Sequence, residues 1–193
     1  MVTVSTSPQP ARSYHHGDLR SALVEAGLSA LKTTGIADLS LRQLARAVGV
    51  SATAVYRHFP DKQALLAALA EAGMAQLATA QQAAADAATP AQSFAATGRA
   101  YVRFALANPA LFRLIFACTC TDEATVFGNS LAARMLQANA ATLAPDDPAE
   151  ARRVIVQAWA LVHGLAMLML DGQLPPDDAL IDTAINSRTL FGH

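Results

Sequence analysis

From Leu19 onward apolar residues recur at intervals of three and four rather than two, which is the period of helices packed on one face. Leu19, Ala22, Leu23, Ala26 and Ala30 share such a face on a helix from about Asp18 to Thr34, and Gly35 supplies a left-handed stop. Ser40 with Gln43 three residues on reads as a capping box, and Leu41, Leu44, Ala45 and Val48 then build a short second helix before Gly49. Ser51 caps a third short helix that turns Val55 and Phe59 inward, and Pro60-Asp61 closes it and opens the next. The fourth helix runs from Lys62 to around Ala85, with Gly73 inside it read as a point of close packing. Thr89-Pro90, Asn108-Pro109 and Asp147-Pro148 each join a capping residue to a proline at the first helical position. Further helices are expected near Thr121 and after Pro175-Pro176. About nine helices and no strand make the chain all-α.

Composition narrows the class. The 193 residues are 53% apolar and 15% charged, and 44 are alanine, enough to bury a core and to exclude a disordered chain. The apolar run from Ala158 to Leu170 is interrupted by His163 and is shorter than the roughly 18 to 20 residues that span a bilayer, so no membrane role is expected. The first dozen residues lack the apolar core of a signal peptide, and two cysteines make no disulfide framework, which points to the cytoplasm. Charge is unevenly spread: residues 1–63 carry seven Lys+Arg against four Asp+Glu, whereas the remainder carries seven against eleven. The basic end suits a polyanion.

Between Ser40 and Leu66 the chain reads SLRQLARAVGVSATAVYRHFPDKQALL, two short helices joined by a tight Gly49-Val50-Ser51 turn, a helix-turn-helix. At about 100° per residue, Thr53, Tyr56 and Arg57 point away from the inward Val55 and Phe59, toward whatever the third helix meets. The short side chains of Ser51, Ala52 and Thr53 let a backbone approach base edges in a major groove, while Tyr56, His58 and Lys62 suit phosphates. Lys62 also lies in the first turn of a helix, where unpaired N–H groups attract anions.

These residues, with Leu41-Arg42, Leu44-Ala45, Gly49-Val50-Ser51, Val55-Tyr56, His58-Phe59, Lys62 and Leu65 at their spacing, resemble the TetR family of bacterial transcriptional repressors. The segment YHHGDLR, Tyr14 to Arg20, is similar to the start of one branch whose C-terminal domain carries a Trp, His, Gly signature, here Trp159, His163 and Gly164. The resemblance implies that Arg42, Ala52, Thr53 and Arg57 face bases and that Ser40, Tyr56, His58 and Lys62 hold phosphates. It implies a disordered arm over residues 1–13, a DNA-binding domain over 14–63 and a ligand-binding and dimerisation domain over 64–193. His15, His16 and Asp18 are read as flanking DNA rather than holding a metal, because adjacent histidines at a helix start point apart.

A reader of palindromic DNA needs two copies, so duplex DNA and a second protomer are the expected partners, with a small-molecule effector as a third. Apolar residues surround the helix from Val154 to Leu170, which suggests one side on the core and another on a partner. Val162, Gly164, Leu165 and Leu168, with Ile181, Ala184 and Ile185 of the last helix, are the expected dimer face. Tyr101, Phe104, Phe112, Phe116, Met135, Trp159 and Met167 are the candidate walls of an apolar ligand pocket. His163, one turn from Trp159, is either the orienting polar group of that pocket or a satisfied core histidine. Arg99 and Arg103 read as a solvated face. The expected function is a ligand-responsive repressor; the alternatives are an effector-independent DNA-binding protein or a thiol or metal sensor through Cys118 and Cys120. No phosphate loop, HExxH, nucleophile elbow or CxxC pair occurs, so no enzyme, cofactor or metal is expected.

Overall fold

A computed structural model describes residues 19–117 and 130–186. They form α1 (Leu19–Thr34), α2 (Leu41–Val48), α3 (Ala52–His58), α4 (Lys62–Asp86), α5 (Pro90–Ala107), α6 (Pro109–Ala117), α7 (Leu131–Leu143), α8 (Pro148–Leu170) and α9 (Asp178–Ala184), with no strand among the described residues. The helix expected near Thr121 would begin outside those residues; the described α7 starts at Leu131, where the Ser130 hydroxyl accepts the Ala133 N–H at 3.0 Å.

Most helix starts follow the capping logic. Ser51 Oγ accepts from Ala54 N at 3.2 Å, Asp61 Oδ1 from Ala64 N at 2.8 Å, and Asp147 Oδ1 from both Ala149 and Glu150 at 3.0 Å. Ser40 and Thr89 are exceptions. Each occupies an N-cap with extended backbone but makes no side-chain cap bond, so the capping box expected at Ser40 does not form. Gly49 closes α2 at φ 77°, its N–H bonded to the Ala45 and Arg46 carbonyls, and this left-handed residue sets the angle between α2 and α3.

Helix α4 is the spine. It packs on α1 in the N-terminal head and on α5, α6 and α7 in the body, and Leu65, Leu69 and Leu77 on it are fully buried. The buried apolar residues form one continuous cluster from Leu19 to Ile185, so head and body share a core. The reading of Gly73 as close packing holds: a Cβ there would lie 2.7 Å from Leu111 Cδ1 and 3.0 Å from Ile115 Cδ1 of α6.

Helix α8 corrects the estimate made from run length. Its 23 residues are by length and composition enough to cross a membrane, because the helix continues N-terminally past the uncharged run. It packs against α5 and α7, as the core helix of a bundle does.

Candidate functional site

Two sites take shape. In the head, Leu41, Leu44 and Ala45 of α2 and Val55 of α3, with Phe59 just beyond it, are buried against α1, whose Arg20 guanidinium sits 5.5 Å from the Phe59 ring centre. Burying Val55 and Phe59 turns Thr53, Tyr56 and Arg57 outward, and all three are exposed, Tyr56 at 43% despite its ring. Arg42 is exposed in the first turn of α2, Ser51 is exposed at the start of α3, and Ala52 and His58 are half-buried at its two ends. Ser40, Tyr56 and Lys62 come together from three separate segments around one open concavity of about 370 Å³. Lys62 brings a positive charge to it, beside the Asp61 carboxylate, and Leu39, Leu41 and Pro60 complete its walls.

Two details there were hidden in the sequence. Lys62 Nζ donates to the Ala37 carbonyl at 2.8 Å, tying the start of α4 to the loop between α1 and α2. The Asp61 carboxylate takes the Ala64 N–H, so the start of α4 is partly filled by the chain itself. The anion-attracting helix start expected at Lys62 is correspondingly weaker.

In the body, a second cavity lies between α4, α5, α7 and α8, lined by Gln81, Phe94, Thr97, Gly98, Tyr101, Ala132, Met135, Leu136, Ala158, Trp159 and Val162. Of the expected wall residues, Tyr101, Met135 and Trp159 line it. Phe104 and Phe112 are buried in the core, and Phe116, His163 and Met167 pack beside it without lining the cavity. The sequence pattern missed Gln81, Thr97 and Gly98, because polar or small residues on alanine-rich helices carry no signal of a cavity.

Tyr101 connects these groups. Its hydroxyl lies 2.9 Å from His163 Nδ1, and Trp159 bonds to it from the next turn of α8. An indole N–H can only donate, so Trp159 donates to the Tyr101 oxygen, which shares its other hydrogen bond with His163 Nδ1. Burial holds the His163 pKa below its usual value, favouring the neutral ring, and burial raises the pKa of the Tyr101 hydroxyl. His163 also stands among rings, 4.8 Å from Phe116 and 5.7 Å from Phe112 between centres. It is therefore a satisfied histidine that positions Tyr101 at the cavity wall.

The expected dimer face needs correction. Val162 and Leu165 are buried within the single chain, and Ile181 and Ile185 are 1% and 0% exposed, with Ile185 packed over Gly98 where a Cβ would come within 2.9 Å. None of the four has surface left for a partner. Ala184 is half-buried, Leu168 is 45% exposed, and a Cβ on Gly164 would meet nothing within 4 Å. With Val156, 56% exposed, and Ala160, these last two form an open stripe of small and apolar residues along α8 at every fourth position. Arg103 is exposed, as a solvated face requires, and Arg99 is half-buried, but both also hold partners. Arg103 bridges Asp178 at 2.7 Å and Asp182 at 2.9 Å, and Arg99 donates to the Ile185 carbonyl at 3.0 Å, clamping α9 onto α5. Tyr14, His15, His16, Asp18, Cys118 and Cys120 lie outside the described residues.

The chain matches two family models: that for bacterial regulatory proteins of the tetR family over residues 23–69, and that for the tetracyclin repressor-like C-terminal domain over 94–187. Among curated proteins it is similar to the tetracycline repressor protein class A from transposon 1721 of Escherichia coli, 43% identical over 56 residues, and to the class C repressor of the same organism, 45% identical over 53. These matches cover 29% and 28% of this chain but only 26% and 24% of those proteins. Similarity over the whole chain appears with a solved Rhodococcus sp. RHA1 protein described as of unknown function, 36% identical at a TM-score of 0.77, covering 94% of this chain and 97% of that one. A TetR family transcription regulator from Marinobacter aquaeolei VT8 shares the fold at 21% identity, with a TM-score of 0.68 over 91% and 95% of the two chains.

Proposed function

The chain belongs to the TetR family of bacterial transcriptional regulators, and from that premise we propose that it is a cytoplasmic, ligand-responsive repressor that binds a palindromic operator as a dimer and releases it when a small molecule occupies the body. The observation that carries this reading is the α3 face, where Thr53, Tyr56 and Arg57 stand exposed while Val55 and Phe59 anchor the helix from behind. In a major groove Thr53 and Arg57, one turn apart, reach base edges, with Arg42 and Ala52 beside them. Ser40, Tyr56, His58 and Lys62 bond the flanking phosphates, and the concavity that Ser40, Tyr56 and Lys62 share supports that division of labour. Lys62 keeps donors to spare after its bond to Ala37, since an ammonium has three.

Two heads are held at a fixed separation by pairing of the open α8 stripe, Val156, Ala160, Gly164 and Leu168, with the same stripe of a second copy, Ala184 lying at its margin. The effector enters the body cavity against Tyr101, Met135 and Trp159. Because α4 runs from the head to that cavity, and α6 presses on α1, a shift at the cavity reaches the spacing of the heads. To take operator occupancy from 99:1 to 1:99 the effector must prefer the released form by about 5.5 kcal/mol.

The test is fluorescence anisotropy at stated salt on duplexes selected from a random pool. Thr53→Ala and Arg57→Ala each lose about 1 to 3 kcal/mol of preference for the selected duplex over random sequence, whereas Tyr56→Phe weakens both alike. Equal losses on selected and random duplex for all three variants would overturn the assignment.

A further inference from the structure

Gln81 of α4 is 9% exposed and lines the body cavity, and its Oε1 is the one buried side-chain oxygen or nitrogen without a hydrogen-bond partner among the described residues. Its orientation is fixed by chemistry. Nε2 lies 3.3 Å from the Thr97 carbonyl, which can only accept, so the amide must turn its N–H group there and its oxygen away. An unpaired buried acceptor destabilises a fold unless something fills its place. The other polar side chains of the described wall each have a partner within the chain: the Thr97 hydroxyl donates to the Phe94 carbonyl at 2.7 Å, and the Tyr101 hydroxyl is held between Trp159 and His163. Among the described residues no charged side chain lines the cavity, and the remaining walls are rings, methyl groups and the thioether of Met135.

We propose that this cavity takes a neutral, ring-sized aromatic molecule bearing one N–H or O–H donor, and that the donor pairs with Gln81 Oε1. The proposal rests on the reading of the body as an effector-binding domain and gives that effector its chemistry. A charged ligand would find no counter-ion among the described residues, and one offering only acceptors would leave Gln81 Oε1 unpaired. The hollow is about 450 Å³ including its mouth, but only about 30 Å³ can centre a water molecule, room for one or two waters. A ring therefore enters by displacing the half-exposed rim, Trp159 and Met135, and its hydrogen bond falls on α4, the helix that also carries the reading head.

The experiment compares indole with benzofuran, the same bicycle with the N–H replaced by an ether oxygen, by titration calorimetry on the full-length chain. Occupancy is read independently from the one tryptophan side-chain N–H signal of the nitrogen-15-labelled protein, since the sequence has a single Trp. Indole is expected to bind at least about tenfold more tightly than benzofuran to the wild type, the worth of one buried hydrogen bond. Gln81→Leu and Gln81→Met, both checked for unchanged helicity, abolish that ratio while still binding benzofuran. Equal affinities in the wild type, or a ratio that survives both substitutions, would overturn the pairing and leave the effector-domain reading standing. If neither ring binds while the chain still binds duplex, Oε1 is serving an internal water and the proposal falls alone. A chain indifferent to every duplex overturns the reading beneath it.

Discussion

At the scale of single residues, the structure separates groups whose type looked alike in the sequence. His163 and His58 are both imidazoles on helices, yet His163 shares a hydrogen bond with Tyr101 among three other rings while His58 ends an exposed helix. Because burial lowers the folded pKa of His163, the unfolded chain takes up the proton first as pH falls. Its contribution to stability is complete above about pH 6.5, the ordinary histidine value, and is lost as pH drops through the depressed folded value. Thermal midpoints from pH 8 to pH 5 should therefore fall less steeply for His163→Gln than for the wild type; parallel curves would show that the ring is not buried neutral. Gly73 gives a second prediction. Alanine in a helix interior normally gains about 1 kcal/mol over glycine, but here the new methyl meets Leu111 and Ile115, so Gly73→Ala should lower rather than raise the midpoint in urea.

Among the elements, the starts of helices were the most legible feature, because caps and prolines act locally. Prolines at 90, 109 and 148 each open a helix, as their spacing from Thr89, Asn108 and Asp147 required. What could not be read was which cap makes its bond. Ser40 and Ser51 have the same chemistry, but only Ser51 accepts from its helix. Ser51→Ala should cost about 1 kcal/mol of stability, and Ser40→Ala less than half of that while still weakening DNA binding, a contrast that denaturation and anisotropy measure on the same two proteins. Long-range pairing was equally invisible. Arg99 and Arg103 meet α9 and its C-cap from 86 and 75 positions away in the chain, and periodicity carries no information about such partners. Arg99, less exposed and bonded to the Ile185 carbonyl, should cost more on substitution by alanine than Arg103, whose exposed ion pairs contribute about 1 kcal/mol or less.

For the whole molecule, the reading head was legible because its function lies in a contiguous stretch of some two dozen residues, where inward Val55 and Phe59 fix what faces outward. The body was not. An apolar position on a helix faces core, cavity or partner with the same sequence signature, so Val162 was expected at a dimer face and instead lines the cavity, while Ile181 and Ile185 fill the core. The continuous core between head and body makes the head's position answer to the packing around α4. In the proposed function that shared core is what would couple a small molecule in the body to DNA at the head. The proposed pairing of two chains through α8 predicts that Leu168→Glu, exposed in one copy, leaves each chain folded but shifts sedimentation from dimer to monomer and weakens operator binding with it.

The measurement that bears most directly on all of this is sedimentation velocity of the purified chain at low ionic strength, alone and with a palindromic duplex selected from a random pool. A dimer that loads two chains onto each duplex, and fails to do so when Thr53 and Arg57 are replaced together by alanine, is the predicted result. A monomer that sediments apart from every duplex offered would contradict it.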